Sequence, residues 1–141
     1  MRVKIATLFV LLIIAASCKS SAPKETNETT LTYSSENTLE WAGTYTGVFP
    51  CADCEGIKVE LNLNSDLTYS EHYNYLGTDK SYRESGYFRW NLDGSKITLV
   101  KNGLKDTDTF IVGKNKLIRL DSEGHIIKKN GVNLFELKKK K

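Results

Sequence analysis

Short runs of alternating apolar and polar residues recur along most of the chain. The clearest is IKVELNL at 57–63, in which every second residue is apolar. Similar runs lie at 43–47, 67–75, 85–90, 96–100, 109–112, 116–120 and 133–137. Alternation with a period of two is typical of half-buried strands, and no long stretch after residue 17 has the helical period. The pattern therefore predicts six to eight short β-strands.

Residues that favour tight turns separate these runs. They include Asn64–Asp66, Asp93–Gly94, Asn102–Gly103 and Asn130–Gly131. Strands joined by such turns form an antiparallel meander, which protects its edges by closing into a barrel. We predict an all-β fold, a small lipocalin-like antiparallel meander β-barrel, at 39–141. A barrel of this size is either filled by side chains or holds one small ligand, and both alternatives stay open.

The run at 67–75 contains one residue that does not fit its pattern. Alternation places four large side chains on one face: Leu67, Tyr69, Tyr73 and Tyr75. Glu71 belongs to the same face and interrupts it. His72 falls on the opposite, polar face, where we expect a solvated side chain and not a metal ligand.

The first 17 residues have a different pattern. Arg2 and Lys4 precede an apolar stretch at 6–16, which is too short to span a bilayer as a stable helix. This arrangement predicts a signal peptide at 1–17. The sequence AASC at 15–18 then resembles a bacterial lipobox. An ordinary secretory leader is the alternative.

The lipobox resemblance gives Cys18 a specific role. It implies cleavage before Cys18, which then carries acyl chains, palmitate among them, as a membrane anchor. Several acyl chains hold a protein to a bilayer far more firmly than one. Because Lys19 and not Asp follows the cysteine, the resemblance implies sorting to the outer membrane of a bacterial cell envelope, with the periplasmic face favoured. The polar composition of 18–38 predicts a flexible linker behind the anchor.

The net charge of the chain argues against one class of partner, nucleic acids. The chain has 141 residues, of which 20 are basic and 17 acidic. Two of the basic residues belong to the predicted signal peptide, so the remaining chain is nearly neutral. A nearly neutral chain lacks the broad basic surface that nucleic-acid binding needs, and we predict no such partner. The last four residues, 138–141, are all lysine and predict a solvated basic tail.

Two cysteines, Cys51 and Cys54, lie three positions apart in a turn bracketed by Pro50 and Gly56. A thioredoxin-like redox site places this spacing at the start of a helix, whereas a strand pattern follows here. A closed zinc site needs four ligands, and the other cysteine and both histidines are distant in sequence. A structural disulfide is the favoured interpretation. A two-thiolate Cu(I) site stays open if the pair is reduced.

The cysteine turn also carries a family resemblance. The stretch GVFPCADCEGI at 47–57 resembles the start of the N-terminal domain of the NlpE copper-resistance lipoproteins. Shorter similarities follow at 75–77 and 86–90, so the resemblance covers roughly 39–137. It implies a small β-barrel with a part in envelope-stress sensing or copper tolerance, and an envelope sensor protein as partner.

No catalytic constellation is visible in the sequence. No nucleophile is paired with a base at a recognisable spacing, and no glycine-rich phosphate loop is present. We therefore predict a non-enzymatic envelope lipoprotein. The alternative function is a lipocalin-like carrier, whose aromatic interior would bind a lipid or another small apolar ligand.

Overall fold

The computed structural model describes residues 34–101 and 108–141. The predicted signal peptide, Cys18, most of the predicted linker and the Asn102–Gly103 turn lie outside these residues. The elements, in chain order, are α1 (Ser35–Thr38), β1 (Gly43–Phe49), β2 (Ile57–Leu63), β3 (Thr68–Tyr75), β4 (Ser81–Trp90), β5 (Lys96–Lys101), β6 (Thr109–Gly113), β7 (Lys116–Arg119), β8 (Lys128–Lys129), β9 (Val132–Asn133) and β10 (Glu136–Lys139).

Eight of the strands close into one antiparallel barrel. Their order around it is β1-β10-β7-β6-β5-β4-β3-β2. The strands β1 to β7 each pair with the next strand in the chain, and β10 closes the barrel by pairing with both β7 and β1. The strands β8 and β9 form a separate hairpin between β7 and β10. The prediction of a small all-β meander barrel is confirmed, while the β8–β9 hairpin was not predicted.

The apolar positions of the alternating runs fill much of the barrel. In β2, Val59, Leu61 and Leu63 are buried, and the residues between them are exposed or half-buried. The core residues are at most 3% exposed; they are Tyr45, Phe49, Val59, Leu61, Leu63, Tyr69, Phe88, Ile97, Leu99, Phe110, Val112, Leu117 and Leu137. Side chains therefore occupy the apolar part of the interior.

The barrel has one end that the N-terminal segment covers, here called the closed end. Trp41 packs edge-on against both Phe88 and Trp90, with ring centroids 5.6 Å apart in each pair. The Tyr45 hydroxyl donates a hydrogen bond of 2.6 Å to the carbonyl of Trp41. Burial raises the pKa of Tyr45 to about 12, which keeps this donor protonated at neutral pH.

The short helix α1 falls inside the range predicted as linker. The Ser35 hydroxyl donates a hydrogen bond of 2.7 Å to the Val112 carbonyl, and the Glu36 N–H donates one of 3.0 Å to the Gly94 carbonyl. These bonds order the chain before Leu39. A polar composition does not reveal them, because the partners are backbone carbonyls far away in the sequence.

Two other predictions were wrong in detail. Leu67 lies in the turn before β3, with a positive φ of 66° and an exposed side chain, and not on the inner face of the strand. The predicted solvated tail is partly strand, because Lys138 and Lys139 pair with β1 and close the barrel. Strand pairing uses backbone groups, so a run of lysines does not prevent it. Within the described residues, no helix has the length and hydrophobicity that crossing a bilayer requires.

Candidate functional site

The two predicted site cysteines lie in the turn between β1 and β2, at the barrel end opposite the closed end, here called the rim. Cys51 and Cys54 form a disulfide, with their Cα atoms 5.4 Å apart. Both residues are half-buried, and Ala52, Asp53 and Glu55 beside them are exposed. The strand β2 follows the turn at Ile57, so the helix start that a thioredoxin-like site needs is not there.

The cysteine turn packs against the loop between β3 and β4. The Leu76 N–H donates a hydrogen bond of 2.9 Å to the Gly56 carbonyl. Gly77 has a positive φ of 77°, and a Cβ there would lie 3.2 Å from the Glu55 carboxyl group. Two of the stretches that carry the family resemblance, 47–57 and 75–77, are therefore neighbours at the rim.

Below the rim, acidic side chains replace part of the apolar core. Glu71 of β3 pairs in register with Leu61 of β2 on one side and with Glu84 of β4 on the other. Carboxylate oxygens of Glu71, Glu84 and Asp108 all lie within 4.8 Å of one another. We call these three residues the carboxylate cluster.

Two basic side chains of the described residues form ion pairs with the cluster. Arg119 Nη2 lies 2.6 Å from Asp108 Oδ1, and Lys101 Nζ lies 3.1 Å from Glu84 Oε2. Arg119 ends β7, which pairs with β6 directly after Asp108, and Lys101 ends β5, which pairs with the Glu84 strand β4. Like charges this close are tolerated only when cations or protons offset them.

Among the described residues, Glu71 is the cluster member that no cation pairs with. It is 2% exposed, and neither of its carboxylate oxygens makes a hydrogen bond of ordinary geometry. Burial raises the pKa of Glu71 to about 7. The nearby Tyr73 hydroxyl opposes this shift, and the carboxylates of Asp108 and Glu84 add to it. The buried carboxyl group therefore exchanges its proton near neutral pH.

Comparison with known proteins identifies the domain. A family model, the NlpE N-terminal domain, matches residues 45–130, more than half of the chain. The chain belongs to the NlpE family. The resemblance seen at the cysteine turn is therefore confirmed.

Individual NlpE-like proteins support the same assignment. Lipoprotein NlpE of Escherichia coli (strain K12) is 34% identical over 83 residues, which are 57% of this chain and 34% of that protein. The chain thus spans about a third of the length of this curated relative.

Two solved structures extend the similarity to the fold. A candidate lipoprotein from Shewanella oneidensis has 41% identity and a TM-score of 0.68, covering 77% of this chain and 96% of that chain. The Cpx pathway activator NlpE from Escherichia coli has 30% identity and a TM-score of 0.55, covering 62% of this chain and 46% of that chain.

In this NlpE-type barrel, aromatic contacts connect the carboxylate cluster to the cysteine turn. The guanidinium carbon of Arg119, which pairs with Asp108, lies 6.0 Å from the centroid of the Phe135 ring. The Phe135 ring packs edge-on against Phe49 with 5.1 Å between centroids. Phe49 is the last residue of β1, directly before the turn. The two features thus lie at the same end of the NlpE domain and share packing neighbours.

Sequence reasoning identified only part of this site. It identified Cys51 and Cys54, and it noted Glu71 as an interruption without giving it a role. It missed Glu84 and Asp108, because only the pairing of the strands brings these carboxylates to Glu71. The available signal was an acidic residue at an inward position of an otherwise apolar strand face.

His72 lies outside this site. It is half-buried on β3, where it pairs in register with Glu60 on β2 and with Arg83 on β4. All three residues occupy positions that alternate with the inward ones. Its predicted place on the polar face agrees with this register.

The cysteine pair fits some metals better than others. Among the described residues, the groups of three or more metal-ligating side chains do not include a cysteine. Two cysteines cannot complete the four-ligand shell of a structural zinc site. Two thiolates suit soft Cu(I), and the pair provides them only after the disulfide is reduced.

Reducing the disulfide is expected to lower the free energy of unfolding by about 2 kcal/mol, because the bond closes only a four-residue loop. Urea denaturation with and without a dithiol reductant measures the loss. The double variant Cys51→Ser, Cys54→Ser is the control; it should match the reduced protein and ignore the reductant. Equal stability of the oxidised and reduced proteins would contradict a bracing role for the bond.

Proposed function

We propose that this protein is a non-enzymatic lipoprotein of the bacterial cell envelope, anchored at the outer membrane through acylated Cys18. In this proposal the barrel faces the periplasm and takes part in envelope-stress signalling, with an envelope sensor protein as its partner. Membership of the NlpE family supports the proposal. So do the names of two relatives, Lipoprotein NlpE and the Cpx pathway activator NlpE, both of Escherichia coli.

One observation carries the signalling role in preference to transport: the apolar interior is filled by its own side chains. Tyr45, Phe88 and Phe110 are at most 1% exposed, and Trp41 covers the closed end. A carrier of lipid needs an interior that a ligand can enter. A filled barrel with an exposed, cross-linked turn is better suited to presenting a surface to another protein.

Copper tolerance is the second candidate, and the partial exposure of the cysteine pair favours it. A dithiol reductant can reach the rim and supply two electrons and two protons, which convert the disulfide into two thiols. Binding of one Cu(I) by both sulfurs then releases the two protons. In this alternative the barrel presents a redox-dependent copper site instead of a fixed contact surface.

The anchored state and the signalling role can be tested in one strain. The full chain would be produced in an Escherichia coli strain that lacks its own NlpE and carries a transcriptional reporter of the Cpx pathway. We expect tritiated palmitate to label the wild-type protein. We also expect overproduction of the wild-type protein to activate the reporter. Cys18→Ala should lose the label, because no other residue of the lipobox offers a thiol. Labelling that persists in Cys18→Ala would contradict the anchor.

The double variant Cys51→Ser, Cys54→Ser separates the two candidate roles. If the turn contacts a sensor protein, this variant keeps the palmitate label and activates the reporter less strongly than the wild type. If the pair binds copper, the reporter response persists and growth on copper-containing medium declines. An anchored wild type that changes neither the reporter nor copper tolerance would overturn the proposal.

A further inference from the structure

Among the described residues, the carboxylate cluster holds more negative charge than its partners neutralise. Within residues 34–101 and 108–141, its three carboxylates face two cations, Arg119 and Lys101, and all five groups lie on strands of the barrel or directly next to one. An uncompensated charge in a protein interior is costly, so the cluster requires a further proton or cation. The cysteine pair does not meet this requirement, and the proposed function does not use the cluster.

Several oxygen atoms in the cluster have no well-aligned partner among the described residues. Both oxygens of Glu71 and the Oε1 atom of Glu84 are buried and make no hydrogen bond of ordinary geometry with this part of the chain, although the Tyr73 hydroxyl lies near Glu71. The hydroxyl of Tyr69, a residue that is 2% exposed, is also buried and unpartnered. Burial is the main cause that raises the pKa of Tyr69, and the charges of Glu84, Glu71 and Asp108 raise it further. Buried polar atoms without partners are rare in folded proteins and commonly indicate a missing water or ion.

We propose that the carboxylate cluster binds one hard divalent cation of calcium's size through Glu71, Glu84 and Asp108. The site is made of oxygen atoms only, which favours Ca²⁺ or Mn²⁺ over the softer Cu(I) and Zn²⁺. Oxygens that bind Ca²⁺ at 2.3–2.6 Å lie up to about 5 Å from one another, whereas Mg²⁺ requires a tighter octahedron. The cluster's oxygens, all within 4.8 Å of one another, are close enough together to bind one such ion.

The charges balance if the ion replaces the Lys101 ammonium. Three carboxylates, one guanidinium and one divalent cation sum to zero, whereas a cation added to the cluster with Lys101 in place leaves an excess positive charge. The Lys101 side chain is 28% exposed and is the last residue of β5, so its ammonium can move into water. Arg119 remains on Asp108. Lys101 is thus a competitor of the ion.

This competition predicts opposite effects for two substitutions. Calcium chloride would be titrated by calorimetry into the full chain, purified in non-ionic detergent and stripped of metal with a chelator. We expect saturable binding of one ion, with a Kd raised at least about tenfold in Glu71→Gln, which keeps the side chain's shape and removes its charge. Lys101→Met should lower the Kd by about fivefold or more, because it removes the competing charge.

Further variants guard against trivial explanations. Glu123→Gln removes an acidic residue whose side chain is 79% exposed and is not a member of the cluster, and it should leave the Kd unchanged. If near-ultraviolet circular dichroism of the buried aromatic residues shows that Glu71→Gln does not fold, Glu84→Gln takes its place. This variant should also raise the Kd for calcium. The proposal is overturned if the wild type shows no saturable calcium binding, or if the Kd is the same in the wild type, the Glu71→Gln and the Lys101→Met proteins.

Discussion

Replacing Gly47 with alanine is expected to lower the free energy of unfolding by about 3 kcal/mol. A Cβ at position 47 would collide with the backbone carbonyl oxygen of Glu136 on β10, and would lie 2.9 Å from a methyl carbon of buried Leu137. A carbonyl in a paired strand cannot rotate away as a flexible side chain can. The new methyl group would therefore push β10 from β1, at the pairing that closes the barrel.

The matched control is Gly113→Ala. Gly113 also lies in a strand without a positive φ, but the atoms nearest to a Cβ there belong to the Lys116 side chain, at 3.2 Å, and the nearest backbone oxygen, that of Lys116, is 3.8 Å away. Because a lysine side chain can move, we expect a loss below about 1 kcal/mol. Urea denaturation of the three proteins gives both values. Equal losses of stability at the two positions would contradict the claim that the close approach of β10 to Gly47 excludes a side chain there.

Gly47 also illustrates what the sequence could predict and what it could not. Alternation in β2 predicted the buried positions Val59, Leu61 and Leu63, because a period of two records the pleat of a strand. The alternation could not show that β10 passes over Gly47, because β10 and Gly47 lie near opposite ends of the sequence. The run predicted at 133–137 included the first two residues of β10, while the two lysines concealed the rest of that strand, because their composition indicates solvent exposure.

The candidate site also has a part that the sequence could predict and a part that it could not. Cys51 and Cys54 are close in sequence, so their spacing and the strand pattern that follows them were enough to favour a disulfide. Glu84 is separated from Glu71 by a loop, and Asp108 lies two strands farther along. Their proximity follows from the register of β3 with β4 and from closure of the barrel, which no local pattern encodes. Sites built across strands are therefore harder to predict than sites built within one turn.

Glu71→Gln is expected to remove a pH dependence of stability that amounts to about 3 kcal/mol between pH 5 and pH 8. The pKa of Glu71 rises from its ordinary value of 4.5 to about 7 on folding, mainly through burial. The folded protein therefore holds this proton more tightly than the unfolded chain does. The contribution of Glu71 to stability is therefore highest at the acidic end, falls as the pH rises from 4.5 to 7, and levels off above that range.

Other titratable groups contribute to the pH dependence of each protein, and the comparison between the two proteins cancels them. The groups that face Glu71 are Glu84, Asp108, Lys101, Arg119, Tyr69 and Tyr73, and both proteins contain all of them. The same holds for the two histidines. The difference in stability between wild type and Glu71→Gln, measured in a chelator, should thus report the Glu71 proton alone.

Urea denaturation at pH 5, 6.5 and 8 tests this expectation. At pH 5 the two proteins should be similar in stability, because the wild-type carboxyl group is protonated and resembles the amide in shape and charge. At pH 8 the variant should be the more stable, because it avoids a buried carboxylate without a partner, and its NH₂ group can donate to the free oxygen of Glu84. Parallel pH profiles for the two proteins would mean that Glu71 is ionised throughout, with a cation or water already compensating its charge.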